Sequence, residues 1–301
     1  MVEPTTFGFD EQTAETNAFA SKPGKNAGDT TALAMAEYRA VVAALKDFGV
    51  NVWSYAHTDG IARPNAVFPN NWLTTWPDGR VFLYPMATPS RRVERSSEML
   101  LSLRERFGMG TLDDISGSES SGEFLESTGV MIFDHENKTV YACESLRCDR
   151  RLFAKHAKAL GYKPMLFSAE DEAGTAIYHT NIMLGIQSTT AVLCADAIKD
   201  MRERQRIVGA LESAGHAVVE ITDEQMKEYC GNVIELANAA GERCLLLSQS
   251  AYDAFTPGQR AVLSADKQLL PVAVPTIQAI GGGSVRCMVA EIFLPALVAS
   301  A

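Results

Sequence analysis

The chain has 301 residues, 47% hydrophobic and 21% charged, a balance that suits a packed globular protein and excludes a disordered one. A net charge of −10 and an isoelectric point near 5.1 argue against a general nucleic-acid binder, which needs a basic surface. No apolar run approaches the roughly 20 residues that span a bilayer, and Met1-Val2-Glu3-Pro4-Thr5-Thr6 has neither region of a signal peptide, so no membrane partner is expected.

Taken in chain order, residues 29–48 carry the pattern of a long amphipathic helix, capped by Asp29 or Thr30 and stopped by Gly49. A strand is expected over 51–55. Residues 73–76 and 81–84 flank Pro77-Asp78-Gly79, an Asp-Gly hairpin signal, and 94–107 read as a helix ending at Gly108. Strands over 129–133 and 139–143 bracket the polar turn His135-Glu136-Asn137-Lys138. A helix near 151–160, stopped by Gly161, and a strand over 163–167 follow. A third hairpin joins 182–186 to 191–194, before a helix over 197–213 and a strand over 217–221. A strand over 242–247, a helix near 257–264 and a strand over 269–274 complete the last unit.

The order hairpin, helix, strand therefore recurs while residue identities hardly repeat. Such units suit mixed sheets in an α/β fold rather than a doubly wound parallel sheet, and their repetition permits a radial arrangement around an axis. No low-complexity linker divides the chain, residues 116–122 being the most loop-like stretch, and a single domain over residues 1–301 is expected.

Six cysteines, at positions 143, 148, 194, 230, 244 and 287, form neither a disulfide framework nor a Cys-x-x-Cys zinc pattern. A reduced, cytoplasmic setting and chemistry without metal or cofactor are expected. Cys287 stands out. It follows Gly281-Gly282-Gly283-Ser284-Val285-Arg286, beside a cation of the kind that lowers a thiol pKa and after glycines that let backbone approach a substrate. Against that, free cysteines are more often small buried hydrophobes.

Of the five histidines, His135, His156 and His216 read as solvated surface, in a hairpin turn, a charged helix and a Gly-His turn. His179, in Tyr178-His179-Thr180-Asn181, stands at the entry of an apolar strand, where rigid sheets carry catalytic groups. Glu126 stands just before another strand, where a carboxylate could orient a histidine, although a solvated carboxylate is the commoner fate of Glu. Asn70 and Asn71, in Phe68-Pro69-Asn70-Asn71-Trp72, can cap a turn or recognise an amide-like group with neutral donors and acceptors.

Five segments taken together, Phe68-Pro69-Asn70-Asn71-Trp72, Leu125-Glu126-Ser127-Thr128-Gly129, His179-Thr180-Asn181, Cys230-Gly231-Asn232-Val233 and the Gly281–Met288 run, resemble the guanidino-group-modifying superfamily. That superfamily contains arginine deiminases, dimethylarginine hydrolases and amidinotransferases. The likeness runs in order over the whole chain, including an N-terminal stretch with Asn17-Ala18-Phe19, and is greatest to the citrulline-utilisation hydrolase branch. The resemblance implies the pentein α/β-propeller, with pseudo-fivefold ββαβ-like units. It also implies Cys287 as nucleophile, His179 as general acid/base and Glu126 as its carboxylate partner. Arg147, and Arg91 or Arg92, match positions that bind a substrate carboxylate, for which the guanidinium fork is suited.

Arginine deiminases place aspartates where this chain has Asn71 and Asn181. Burying a guanidinium without a paired anion costs several kcal/mol, so the two amides favour a neutral ureido group. The expected reaction is hydrolysis of citrulline to ornithine, ammonia and carbon dioxide through a covalent Cys287 intermediate. Deimination of arginine, hydrolysis of a substituted arginine and amidinotransfer are the alternatives. A silent ligand-binding scaffold is the reading from another class, which an intact Cys–His–Glu set argues against. Glu3, Asp10 and Ser127 depart from the Arg, Asn and Gly that the branch implies. The expected partner is a small amino-acid substrate; the oligomeric state is left open, a homodimer included.

Overall fold

The structure, a computed structural model, describes residues 1–24 and 29–297. A long helix, α1 (Thr30–Asp47), is capped by the Asp29 carboxylate, which accepts from the Ala32 amide at 3.0 Å. Its buried residues Ala34, Tyr38, Val41 and Leu45 recur at three- and four-residue steps, so one stripe faces the core.

Among the described residues four sheets follow, each of three strands. They are β1 (Leu73–Thr75), β2 (Arg80–Leu83) and β3 (Thr111–Asp114); β4 (Ile132–Asp134), β5 (Thr139–Cys143) and β6 (Lys163–Phe167); β7 (Leu184–Ile186), β8 (Thr190–Leu193) and β9 (Ala217–Glu220); and β10 (Ile234–Ala237), β11 (Arg243–Ser248) and β12 (Gln268–Val272). In every sheet the first two strands form an antiparallel hairpin and the third returns parallel to the second after a helical crossover. The recurring order read from the sequence is therefore the architecture, an α/β fold of small mixed sheets.

One expected strand is absent. Residues 51–55 form no strand; Tyr55 alone bridges to Val2, and the ladder ends where the Thr5 amide turns back onto the Glu3 carbonyl at 2.9 Å. Conversely, β3 and β10 escape the sequence pattern. Strand β3 reads Thr-Leu-Asp-Asp and is largely exposed, and β10 has four residues with only its first buried.

The inner strand of each sheet is entered through one repeated turn. The amide donates to the carbonyl three residues earlier in Asn71 to Phe68 (3.4 Å), Gly129 to Glu126 (3.0 Å), Ile182 to His179 (3.3 Å) and Asn232 to Tyr229 (2.9 Å). A fifth copy, Cys287 to Ser284 (2.9 Å), introduces the C-terminal segment. That segment is stitched to the fourth turn by the Arg286 amide on Asn232 Oδ1 (3.2 Å) and to β1 by the Phe293 amide on Thr75 Oγ1 (2.8 Å). The five turns thus form a closed ring. They approach so closely that a Cβ on Gly231 would overlap the Ile182 carbonyl, and one on Gly129 the Asn71 amide.

Ser127 has φ +44°, a left-handed conformation in which a non-glycine residue costs about 1–3 kcal/mol. That explains the glycine that the resemblance implies at this position. Its hydroxyl donates to the Leu73 carbonyl at 3.2 Å, which offsets part of the strain.

Candidate active site

The repeated turn places chemistry at fixed steps. Aligned on the shared hydrogen bond, Glu126 and His179 occupy its first position, Asn181 its third, and Asn71, Asn232 and Cys287 its fourth. Residues far apart in sequence are thereby gathered at the starts of the inner strands. His179 and Cys287 line one narrow cavity, with about 260 Å³ of empty space, together with Asn71, Arg91, Arg147 and the Gly281–Gly283 backbone.

Glu126 is fully buried and accepts His179 Nε2 at 2.7 Å, the Ala87 amide at 3.0 Å and Arg147 Nη1 at 3.3 Å. Burial alone would raise its pKa. Arg147, the His179 hydrogen bond and Arg91 outweigh burial and hold the carboxyl well below the usual range. An ionised carboxylate only accepts, so Nε2 of His179 carries the proton and Nδ1 is left for chemistry. Burial pushes His179 down to about 4, against the opposing pull of Glu126. The imidazole is therefore neutral near pH 7 and able to take a proton.

Cys287 Sγ receives two amide donors, Asn181 Nδ2 at 3.4 Å and Asn232 Nδ2 at 3.3 Å. Both amides present N–H groups to the sulfur and fix its position. Asn232 is the residue that sequence reasoning left without a role. It belonged to a recognised segment, but its approach to Cys287 exists only once the ring has closed.

Asn71 is held by Arg91, whose Nη1 donates to Oδ1 at 2.7 Å. Arg91 is itself clamped by Glu94 at 2.8 Å on both Nε and Nη2. This fixes the amide flip, and Asn71 Nδ2 is left buried without a partner. Of the two adjacent arginines, Arg91 lines the cavity and Arg92 does not. Arg92 instead donates to the Met86 and Ala87 carbonyls and pairs with Glu119 at 3.1 Å. Asn70 also lies outside the cavity lining, buried with both amide atoms unpartnered. Arg147 is in the wall, its Nη2 donating to the Thr13 carbonyl and Thr16 Oγ1 and its Nε without a partner.

Asp10, where the branch implies Asn, caps the short helix Glu11–Ala14 and binds Ser90 and Asn65; Asn65 is in the cavity lining and Asp10 is not. The surface assignment of two histidines is overturned. His156 is buried against Tyr84 (3.0 Å) and His216 against Asp134 (2.9 Å).

A family model described as N,N dimethylarginine dimethylhydrolase, eukaryotic, matches residues 3–294. The chain belongs to that family. With it comes membership of the amidinotransferase and arginine deiminase superfamily, whose members include hydrolases of carbon–nitrogen bonds. No curated protein matches the chain. Among solved structures, the arginine dihydrolase ArgZ of the cyanobacterial ornithine-ammonia cycle superposes with TM-score 0.74 at 15% identity, over 99% of this chain and 42% of ArgZ. The chain thus spans less than half of that protein. It covers 98% of the separate ArgZ N-terminal domain solved with bound substrate, again with TM-score 0.74 and 15% identity, and itself covered over 98%. A dimethylarginine dimethylaminohydrolase variant carrying an S-methyl-L-thiocitrulline adduct superposes with TM-score 0.63 at 15% identity, over 95% of this chain and 96% of the other. The dimethylarginine dimethylhydrolase family fold is therefore common to all three, and the repeated units of this member are the propeller-like repeats of pentein structures.

Proposed function

We propose that the chain hydrolyses the ureido group of citrulline, giving ornithine, ammonia and carbon dioxide through a covalent intermediate on Cys287. The observation that carries the reading is the polarity of the cavity. Its lining holds two arginines and no carboxylate among the described residues, and the nearby Glu126 is committed to His179 and Arg147. A guanidinium would be buried there without an anion. It also offers only donors, whereas the unpartnered Asn71 Nδ2 needs an acceptor such as a ureido oxygen.

In this mechanism His179 Nδ1 takes the Cys287 proton as Sγ attacks the ureido carbon. Asn71 donates to the oxygen as charge builds there. The C–N bond breaks and the proton passes from His179 to the departing nitrogen. Water then attacks the thioester-like carbon, giving one proton to His179, which returns it to sulfur as the C–S bond breaks. If ammonia leaves first, the carbamate released loses carbon dioxide to give ornithine. If ornithine leaves first, the carbamoyl enzyme hydrolyses to the same products. Arg147, through its unpartnered Nε, is the group for the substrate carboxylate, and Arg91 acts through Asn71. The six cysteines are all free and buried, which supports a reducing, cytoplasmic setting.

The family match favours a second reading, hydrolysis of a methylated arginine. The deciding experiment measures amine, ammonia and ornithine release from L-citrulline, L-arginine and N,N-dimethylarginine, with Cys287→Ala as control. Turnover of citrulline lost in the variant supports the proposal; turnover confined to the guanidines sinks the ureido reading and keeps the nucleophile.

A further inference from the structure

Tyr178 immediately precedes His179 and lines the catalytic cavity, yet it takes no part in the chemistry proposed for that cavity. It is buried, and burial pushes its phenol far above the ordinary tyrosine range, so the hydroxyl is a neutral donor near pH 7. This one side chain touches three parts of the site that lie far apart in sequence.

The first contact is to backbone. The hydroxyl donates to the Gly282 carbonyl at 2.6 Å, and Asn17 Nδ2 donates to the same oxygen at 3.1 Å. Gly282 ends the helix Pro275–Gly281 in a left-handed conformation, φ +64°. Phe68 packs against the flanking glycines so closely that a Cβ on Gly281 or Gly283 would overlap its ring. The glycine run is thus pinned by Phe68, Tyr178 and Asn17. Ser284, two residues beyond Gly282, opens the turn whose fourth residue is Cys287. Where the phenol holds Gly282 therefore sets where that turn begins and where it presents Sγ.

The other two contacts are made by the ring. Its centroid lies 4.7 Å from that of His179, with the planes tilted by 41°, and 5.0 Å from the Arg147 guanidinium carbon. Guanidinium hydrogen bonds lie in the plane of the group, so those to Glu126, Thr13 and Thr16 leave its faces free, and the Tyr178 ring packs on one. The main chains are tied as well. Ser145 Oγ donates to the Tyr178 carbonyl at 2.9 Å and accepts the Arg147 amide at 3.2 Å.

We propose that Tyr178 is a positioning residue with two separable roles: its hydroxyl fixes the turn that presents Cys287 Sγ, and its ring fixes Arg147 for an anionic group of the substrate. The proposal rests on Cys287 as nucleophile and Arg147 as anion-binding group, and not on the choice between a ureido and a guanidino substrate.

Tyr178→Phe removes the hydroxyl and keeps the ring, whereas Tyr178→Leu removes both. Alkylation of Cys287 at pH 7 by neutral iodoacetamide and by anionic iodoacetate, followed by mass spectrometry, reads both roles without a substrate. In Tyr178→Phe the two reagents should slow together by roughly 2- to 10-fold, the loss of one neutral hydrogen bond, with the ratio of their rates unchanged. In Tyr178→Leu the iodoacetate-to-iodoacetamide ratio should fall as well, by roughly 2- to 30-fold, as the cation loses its aromatic face. Turnover of L-citrulline or L-arginine should split the same way, with kcat lowered and KM kept in the Phe variant and KM raised only in the Leu variant. Urea midpoints check folding, and the Phe result stands should the Leu variant not fold. Wild-type alkylation rates in Tyr178→Phe, or a wild-type ratio in folded Tyr178→Leu, would overturn the proposal. Turnover that survives Cys287→Ala would instead remove the nucleophile on which it rests, a failure distinct from unchanged alkylation.

Discussion

Replacing Asn71 by Asp changes one atom of the catalytic cavity in kind and almost nothing in shape. Arg91 Nη1 already donates to Asn71 Oδ1 at 2.7 Å and would keep that bond to a carboxylate. The group that changes is Nδ2, buried and unpartnered. A ureido oxygen would lose its donor and face an acceptor, and an unsatisfied buried group costs about 1–3 kcal/mol. The kcat/KM for citrulline should therefore fall roughly 5- to 150-fold, at about 1.4 kcal/mol per factor of ten. A guanidinium would instead gain a charge-assisted bond of about 1.5–3 kcal/mol, so the selectivity ratio should move toward arginine by roughly a hundredfold or more. Steady-state kinetics on both substrates measures the shift, with Asn71→Ala as the control that removes the donor without adding charge. A ratio that stays within about threefold of the wild type would refute the charge argument. Asn181→Asp is a different perturbation, because that side chain contacts Cys287 Sγ at 3.4 Å and a carboxylate there would oppose the thiolate.

Glu126→Gln leaves the buried Arg147 without its anion, so chemical denaturation should show a loss of about 3–5 kcal/mol, and kcat should fall by at least about a hundredfold as the His179 tautomer is released. Asn232→Ala should slow alkylation of Cys287 at pH 7 and lower kcat by roughly 10- to 150-fold, the loss of one hydrogen bond to a charged group; unchanged thiol reactivity would assign Asn232 a packing role. Burial pushes both His156 and His179 down to about 4. Between that value and the ordinary histidine pKa near 6.5 the unfolded chain binds more protons, so stability rises with pH across this window and is lost as pH falls through it, by up to about 3 kcal/mol per residue. Urea midpoints for wild type and His156→Gln should differ in slope over that window, and identical slopes would exclude His156 as a contributor.

Much of the fold was legible because its units repeat locally. Asp78-Gly79 and His135-Glu136-Asn137-Lys138 mark their hairpins by turn chemistry, and Asp29 marks its helix by a cap. The C-terminal segment has no such marker, since it joins the ring through Arg286 and Phe293 rather than through a sheet of its own. Within the candidate site, Glu126, His179 and Cys287 are visible as motif residues. The choice between Arg91 and Arg92 is not, because neighbours on one helical turn face different directions and only packing selects Arg91. His156 could have been placed. It lies with Phe153 and Ala157 on the buried stripe of the helix Arg150–Ala159, and its charged neighbours concealed that spacing.

Ring closure has a consequence for synthesis of the chain. The nucleophile arrives with the last of the five turns, and Asn17 near the other terminus binds the Gly282 carbonyl across 265 residues of sequence. A chain that stops short of residue 281 contains Glu126 and His179 but neither the thiol nor the backbone that completes the cavity. Such distant closure slows folding. It also means that the sulfur reaches its cavity only in a molecule whose Asn17 and Gly282 segments have met.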